Sequence, residues 1–194
     1  MFRESFNMIN LQTNSWIISI QTKTFTLSAL VIATVFDAPS VIAISLILGV
    51  YLSYKNYRRY SALLFLVMGG EALLVLIVKT FVSSSRPLNG LVYETGFSFP
   101  SGHTTGSVVF CGLLTFLVWQ YWKSPKAKTV SIILFFAIVS IVAFDRLYLN
   151  VHWFSDVLGG LLLGLSWLTF SLWTFSYVEQ TKKERALLKI GMTK

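Results

Sequence analysis

The chain has 194 residues, of which 55% are hydrophobic and only 12% are charged, and its mean hydropathy is +0.68. Soluble domains carry about 25% charged residues, so this composition excludes an ordinary soluble protein and indicates an integral membrane protein. The net charge of +8 does not indicate a nucleic-acid partner, because the basic residues cluster at the ends of apolar segments, where membrane topology explains them. The single cysteine, Cys111, excludes an intramolecular disulfide.

The apolar segments predict membrane-spanning helices. A bilayer core of about 30 Å needs about 20 helical residues, and the apolar runs are continuous rather than alternating, which argues against strands. A short apolar segment, 24–36, comes first and is expected to lie in the membrane interface, and Asp37 and Pro39 then begin the next helix. Five candidate spans follow, at 38–54, 60–82, 104–122, 129–144 and 157–178. Gly160 and Gly164 form a GxxxG pair in the last span, which indicates close helix packing. The predicted fold is an all-α integral membrane bundle of about five transmembrane helices plus a short N-terminal interfacial helix.

The distribution of basic residues predicts the orientation of this bundle. Five spans place eleven Lys and Arg residues on one side, in two joints and the C-terminal tail, and five on the other side. The positive-inside rule puts the more basic side in the cytoplasm. The joints 79–103 and 145–156 are then expected outside, with the N-terminus. The expected organisation is an N-terminal segment, a transmembrane domain and a basic cytoplasmic tail, at 1–37, 38–178 and 179–194.

The outward joints contain an unusual set of polar residues. Three segments are involved: KTFVSSSRP at 79–87, PSGH at 100–103 and DRLYLNVHWFSD at 145–156. They hold both histidines of the chain and the cations Lys79, Arg86 and Arg146. Arginine is costly at membrane depth and marks function there, and its planar fork suits phosphate. Free amides at a helix start, as at Ser101 and Gly102, also bind phosphate oxygens. These features together predict a phosphate-binding site.

The two histidines complete the pattern of a phosphoryl-transfer site. His152 and Asp156 are four residues apart and share a helix face, so the carboxylate can hold Nδ1–H and leave Nε2 free as a nucleophile. His103 can protonate a leaving oxygen. Taken singly, Lys79 and Arg86 are explained as side chains that snorkel to the interface, and Asp156 as a helix cap. Their combination on one side of one topology favours the site.

The three segments resemble the three signature motifs of the type 2 phosphatidic acid phosphatase superfamily, a family of membrane lipid phosphatases related to vanadium haloperoxidases. The matching positions are Lys79, Arg86 and Pro87 in the first motif, 100–103 in the second, and Arg146, His152 and Asp156 in the third. Order and internal spacing agree with the family pattern, and the resemblance covers roughly residues 40–178.

The resemblance implies a role for each matched residue. His152 attacks phosphorus and forms a phosphohistidine, Asp156 orients that imidazole, and His103 protonates the leaving oxygen and then activates water. The implied phosphate ligands are Lys79, Arg86, Ser101, the Gly102 amide and Arg146. The family needs no metal or other cofactor, because side-chain cations stabilise the developing charge. The implied partners are a lipid phosphate substrate and the membrane lipids.

Two features depart from the family pattern, and one acid is unassigned. Asp145 stands where the family has a serine that donates to phosphate, and it is expected to pair with Arg146 or Lys79 or to turn away. Many members have a further N-terminal span, whereas only segment 24–36 is apolar here. Glu71 lies in mid-span, and both a functional role and a hydrogen-bonded packing contact are open for it.

Residues and resemblance together predict a metal-independent phosphoric ester or anhydride hydrolase of the plasma membrane. It is expected to remove a terminal phosphate from a lipid at the extracytoplasmic face. A polyprenyl diphosphate (undecaprenyl-diphosphatase type), phosphatidate and phosphatidylglycerol phosphate are all open as substrates. Two alternatives are a lipid phosphotransferase using the same site and an anion or lipid transporter, although a transporter does not need a carboxylate-held histidine. The sequence does not predict the oligomeric state.

Overall fold

The computed structural model describes the backbone of residues 2–191 and the side chains of residues 7–188. The described chain is entirely helical apart from its connections. It contains seven helices in the order α1 (Phe2–Ile20), α2 (Lys23–Val35), α3 (Ala38–Tyr54), α4 (Arg58–Val82), α5 (Gly102–Tyr121), α6 (Pro125–Tyr148) and α7 (Phe154–Gly191). Of the basic residues counted for orientation, Arg3, Lys189 and Lys194 lie outside the described side chains.

Four of these helices, α4 to α7, are long and apolar enough to cross a membrane, and a bent pair formed by α1 and α2 brings the candidates to five within the described residues. The predicted span at 38–54 is helical with the same bounds, as α3. Its 17 residues extend about 25 Å, which is shorter than a bilayer core of about 30 Å. The predicted all-α membrane bundle is confirmed.

Local sequence explains where α3 and α6 begin. The Asp37 carboxylate accepts a hydrogen bond of 2.8 Å from the backbone N–H of Ser40, and a proline follows in the first turn of α3. Ser124 caps α6 in the same way, with Pro125 as the first helical residue. A side-chain oxygen at the cap and a proline in the first turn satisfy or remove N–H groups that have no partner within the helix.

The N-terminal helices lie at one end of the bundle, here called the upper end, where α4 and α6 finish and α5 and α7 begin. A helix over Phe2–Ile20 was not predicted, because its apolar residues are interrupted by polar ones. The described part of α1 meets α2 at a bend of 118°. Asn10 exchanges two hydrogen bonds of 3.0 Å with Ser155 at the start of α7, so α1 is fastened to the upper end.

Helix α2 occupies the position predicted for the interfacial helix. At its start, the backbone N–H of Thr22 donates to the Tyr148 hydroxyl at the end of α6, at 2.8 Å. Just after its end, Phe36 lines a cavity together with His103, which lies in the first turn of α5. Ala29 of α2 also packs with Tyr148 and Leu149, so the helix lies against the upper end of α6.

Helix α5 is the centre of the bundle and packs against α3, α4, α6 and α7. Its side chains Val108 and Val109 are completely buried. Helix α7 approaches it closely, since a Cβ atom on Gly160 would lie 2.8 Å from the Ser101 carbonyl oxygen and one on Gly164 would lie 2.9 Å from Cβ of Val108. The glycine pair therefore brings α7 against α5, as the GxxxG pattern predicted.

Helix α7 continues without a break to Gly191, through the boundary predicted at 178. The division into an N-terminal segment (1–37), a transmembrane domain (38–178) and a tail (179–194) therefore stays a prediction. At the lower end, Arg59 in the first turn of α4 forms an ion pair of 2.7 Å with Glu179 of α7.

Candidate functional site

The upper end of the bundle gathers the polar residues singled out in the sequence. Lys79 lies in the last turn of α4, and Arg86 lies in the connection that follows. Ser101 caps α5, and Gly102 and His103 are its first residues. Arg146 lies in the last turn of α6, His152 in the short connection after it, and Asp156 in the first turn of α7. Four helix ends and the connections that adjoin them therefore supply all eight predicted site residues.

The imidazole of His152 lies against the carboxylate of Asp156. Nδ1 of His152 is 3.4 Å from Oδ2 of Asp156, and both side chains are about 1% exposed. The same Oδ2 accepts a 2.8 Å hydrogen bond from the backbone N–H of Trp153, which fixes the carboxylate. The contact with Nδ1 has the distance of an ion pair without hydrogen-bond alignment, and Nδ1 has no other partner among the described residues.

The other ring nitrogen of His152 faces a guanidinium. Nη1 of Arg86 is 3.3 Å from Nε2 of His152 and donates to the carbonyl of Val151 at 2.9 Å. Because arginine can only donate hydrogen bonds, this contact assigns the lone pair to Nε2. The ring proton is then on Nδ1, on the side of Asp156. Burial lowers the pKa of His152 below its ordinary value, the positive charge of Arg86 acts in the same direction, and the contact with Asp156 opposes both.

Backbone carbonyls of the α4–α5 connection hold the cations in place. Arg86 donates from Nε to Gly96 and from Nη2 to Thr95, both at 3.2 Å. Nζ of Lys79 donates to the carbonyl of Phe97 at 2.6 Å. Ser98, which is fully buried, closes this connection through a 2.8 Å backbone hydrogen bond from its N–H to the carbonyl of Ser84.

A carboxylate that the sequence analysis missed lies between the two arginines. Oε2 of Glu94 is 3.3 Å from Nη2 of Arg86, and Oε1 is 3.4 Å from Nη1 of Arg146. Two guanidinium groups from distant parts of the chain thus converge on one anion. The signal in the sequence was an acidic residue in the connection between the first and second motifs, but only the fold shows which cations it meets.

Asp145, the departure from the family pattern, pairs with its neighbour Arg146. Its Oδ2 accepts from Nε of Arg146 at 3.0 Å and also from Nη2. Both residues are at most 2% exposed. The pair leaves Nη1 of Arg146 directed to Glu94, whereas Oδ1 of Asp145 has no hydrogen-bond partner among the described residues. Of the expected alternatives, pairing with Arg146 is the one observed.

The start of α5 joins the site to α7. The backbone N–H of Ser101 donates to the carbonyl of Asp156 at 3.0 Å. The Ser101 hydroxyl is fully buried and accepts from the Thr104 hydroxyl at 3.0 Å. A Cβ atom on Gly102 would meet only ordinary contacts, so packing does not require glycine there. His103 is half-buried, makes no side-chain hydrogen bond with the described residues, and faces an apolar cavity between α3, α4 and α5.

Comparisons with known proteins agree on one family. Residues 60–180 match the PAP2 superfamily. Phosphatidylglycerophosphatase B of Bacillus subtilis is 36% identical over 121 residues, which is 61% of this chain and 60% of that protein. Undecaprenyl-diphosphatase of Sulfolobus acidocaldarius is 30% identical over 145 residues, 71% of this chain and 66% of that protein. The chain therefore matches about two thirds or less of the length of these relatives.

Solved structures extend the similarity to nearly the whole fold. The crystal structure of a transmembrane PAP2 type phosphatidylglycerolphosphate phosphatase from Bacillus subtilis matches with a TM-score of 0.82 at 26% identity, covering 91% of this chain and 87% of that one. Aquifex aeolicus LpxE matches in fold, with a TM-score of 0.67 at 22% identity, covering 84% of this chain and 94% of that one. The family match covers more than half of the sequence, and the chain is a multi-pass membrane protein that belongs to the PAP2 superfamily.

Proposed function

We propose that this protein is a lipid phosphatase that transfers a terminal phosphate to His152 and then to water. The observation that carries the proposal is the environment of the imidazole. Arg86 leaves the lone pair on Nε2, Asp156 lies on the Nδ1 side, and Arg86 and Arg146 converge beside it on an anion. Covalent phosphoryl transfer needs a nucleophile that is oriented by a neighbouring carboxylate and a cationic site that binds the phosphate.

The first step breaks the bond between phosphorus and the leaving oxygen. The Nε2 lone pair of His152 attacks phosphorus, and the resulting N–P bond replaces the P–O bond. Asp156 stabilises the positive charge that develops on the ring. His103 gives its proton to the leaving oxygen, so that a neutral alcohol or a protonated lipid monophosphate departs. Lys79, Arg86, Ser101, the Gly102 amide and Arg146 hold the phosphate oxygens.

The second step returns the enzyme to its starting state. His103, now neutral, takes a proton from water, and the water oxygen attacks phosphorus while the N–P bond breaks. Inorganic phosphate leaves, and His152 regains its lone pair. A polar cavity of about 640 Å³ between α1, residues 83–85 and Asp156 extends to the carboxylate that contacts His152.

The names of the relatives support a lipid substrate and leave its headgroup open, because they include phosphatidylglycerophosphatase B and undecaprenyl-diphosphatase. Phosphatidate, phosphatidylglycerol phosphate and a polyprenyl diphosphate are the candidates. We place the site at the extracytoplasmic face of the plasma membrane, because the positive-inside rule puts the more basic lower end in the cytoplasm.

The test is replacement of the nucleophile. His152→Ala in detergent-purified protein is expected to abolish phosphate release from each candidate lipid, and wild-type protein quenched in turnover is expected to carry an acid-labile, base-stable phosphate. Full retained hydrolysis by His152→Ala would contradict the proposal. Labelled acceptor alcohols distinguish the phosphotransferase alternative, since hydrolysis gives inorganic phosphate whether or not an acceptor is present.

A further inference from the structure

An apolar cavity of about 500 Å³ lies directly beside His103, between α3, α4 and α5. Ile42, Leu46 and Phe65 line it and are 40% or more exposed on the bundle surface, so the cavity opens sideways toward the hydrocarbon of the bilayer. Apolar walls, a lateral opening and an end at His103 fit the hydrocarbon part of a lipid whose phosphate reaches the site above.

Two polar side chains lie within this otherwise apolar wall. Glu71 in α4 is 7% exposed and Ser45 in α3 is 5% exposed. The Ser45 hydroxyl has no hydrogen-bond partner, and the Glu71 carboxyl forms no hydrogen bond or ion pair with any residue that the structure describes. Buried polar groups cost free energy unless they are hydrogen-bonded. Both side chains line the cavity, so its occupant is the partner available to them.

The depth of Glu71 restricts the occupant. Its Oε1 lies 3.9 Å from the place that a Cβ atom on Gly106 would take. Gly106 is three residues, or about 4.5 Å along the helix axis, beyond His103. The carboxyl group therefore lies about one helical turn below the imidazole that faces the leaving oxygen. In an ester-linked glycerolipid phosphate, the ester carbonyl groups follow the leaving oxygen by a few bonds. In a polyprenyl diphosphate the inner phosphate comes first, and the prenyl hydrocarbon lies at the bond distance of those carbonyls.

We propose that Glu71 and Ser45 donate hydrogen bonds to the ester carbonyls of a glycerolipid phosphate and so select this substrate class over polyprenyl diphosphates. The inference rests on the proposed function and assigns a lipid specificity to the proposed phosphatase. In apolar surroundings the neutral carboxyl costs less to bury than the carboxylate, and a neutral carboxyl or a hydroxyl donates to a carbonyl oxygen. A polyprenyl chain leaves both donors unpaired, and an enzyme rejects a substrate that leaves its buried polar groups without partners.

The test compares two lipids that differ only in these carbonyls. Dioleoyl phosphatidate and its dialkyl ether analogue are assayed in the same mixed micelles, and the ratio of their kcat/KM values is measured. Wild-type protein is expected to favour the ester by about 10-fold or more, the effect of one or two lost hydrogen bonds. Glu71→Leu and Ser45→Ala are each expected to lower the ratio about threefold or more, and the double variant is expected to bring it close to one.

A matched control is Ser131→Ala, because Ser131 is also a buried serine but donates to a carbonyl of its own helix, that of Lys128, at 2.8 Å. This variant is expected to keep the wild-type ratio. A second comparison uses a prenyl diphosphate. The ratio of its kcat/KM to that of dioleoyl phosphatidate is expected to rise about 10-fold in Glu71→Leu. If Glu71→Leu does not fold, Glu71→Met, which also lacks a donor, and Ser45→Ala give the same comparison.

Equal wild-type rates on ester and ether lipids would overturn the inference, and so would an unchanged ratio in the Glu71 and Ser45 variants. Either result leaves the proposed function intact, since both lipids carry the same phosphate ester. Failure of the proposed function has a different signature, which is phosphate release that survives His152→Ala.

Discussion

Asp145 and Arg146, consecutive residues in the last turn of α6, form a buried ion pair in which one carboxylate oxygen meets two nitrogens of the guanidinium. The pair fixes the guanidinium so that Nη1 faces Glu94 and the second arginine. Asp145 therefore positions the guanidinium of Arg146. In the family pattern, the serine at this position donates to phosphate instead.

Replacement of Asp145 tests this arrangement. Asp145→Ala leaves a buried guanidinium with only the more distant Glu94 as an ionic partner, and loss of a buried partner typically costs about 3 kcal/mol. We expect a lower Tm in detergent and a KM for lipid phosphate raised about 10-fold. Asp145→Asn keeps an acceptor oxygen and is expected to show a smaller fall in Tm and a smaller rise in KM. The measurements are Tm and steady-state kinetics, and an unchanged Tm and KM in Asp145→Ala would refute the role.

Glu94 occupies the space between the two arginines in which we place the substrate phosphate. A carboxylate there competes with any other anion for the same guanidinium groups. Glu94→Gln is therefore expected to strengthen inhibition by vanadate and by inorganic phosphate about threefold to tenfold. Glu179→Gln is the matched control, because Glu179 pairs with Arg59 at the opposite end. Weaker vanadate inhibition in Glu94→Gln would contradict the prediction.

The lowered pKa of His152 has consequences for pH dependence. Because burial disfavours the imidazolium, Nε2 keeps its lone pair even below pH 6.5, which is the ordinary pKa of histidine. The unfolded chain takes up this proton at higher pH than the folded chain, so the contribution of His152 to stability is complete above about pH 6.5 and is lost as pH falls. NMR titration of labelled imidazoles checks this. The chain has two histidines, so His103→Gln assigns the signals, and a His152 midpoint above 6.5 would be inconsistent with its burial.

The contact between α5 and α7 makes Gly160 sensitive to substitution. A Cβ atom there would lie 2.8 Å from the Ser101 carbonyl oxygen, whereas one on Gly69 would meet nothing within 4 Å. Gly160→Ala is expected to lower the free energy of unfolding by about 1–3 kcal/mol and to lower activity, since it pushes the start of α5 away from Asp156. Gly69→Ala is expected to leave the free energy of unfolding unchanged. Equal behaviour of the two variants would show that the close approach is unimportant.

Metal removal is the simplest test of how charge is stabilised. The proposed site uses the side-chain cations Lys79, Arg86 and Arg146. We therefore expect EDTA to leave phosphate release unchanged, measured before and after dialysis against the chelator. Loss of activity that is restored by a divalent cation would contradict the proposed mechanism.

Most residues of the candidate site could be predicted from the sequence. Motif spacing singled out all eight residues that α4 to α7 bring to the upper end, because each motif lies at a helix end and the order of spans alternates these ends. Glu94 and helix α1 were missed. Glu94 lies in a connection without regular structure, and the interrupted apolar residues of α1 do not give the continuous run that marks a span.

The sequence by itself determined the all-α membrane bundle, the positions of its four long spans and the chemistry available at one end. Long uncharged runs have few stable structures in a bilayer, since the backbone must satisfy its own hydrogen bonds there. Only the tertiary structure decided which groups meet. The pairing of Asp145 with Arg146, the position of Glu94 between two arginines and the exposure of Glu71 to a lateral cavity all depend on contacts between distant residues and on side-chain direction. Spacing along a helix places a residue on a face, but the packing of several helices selects its partner.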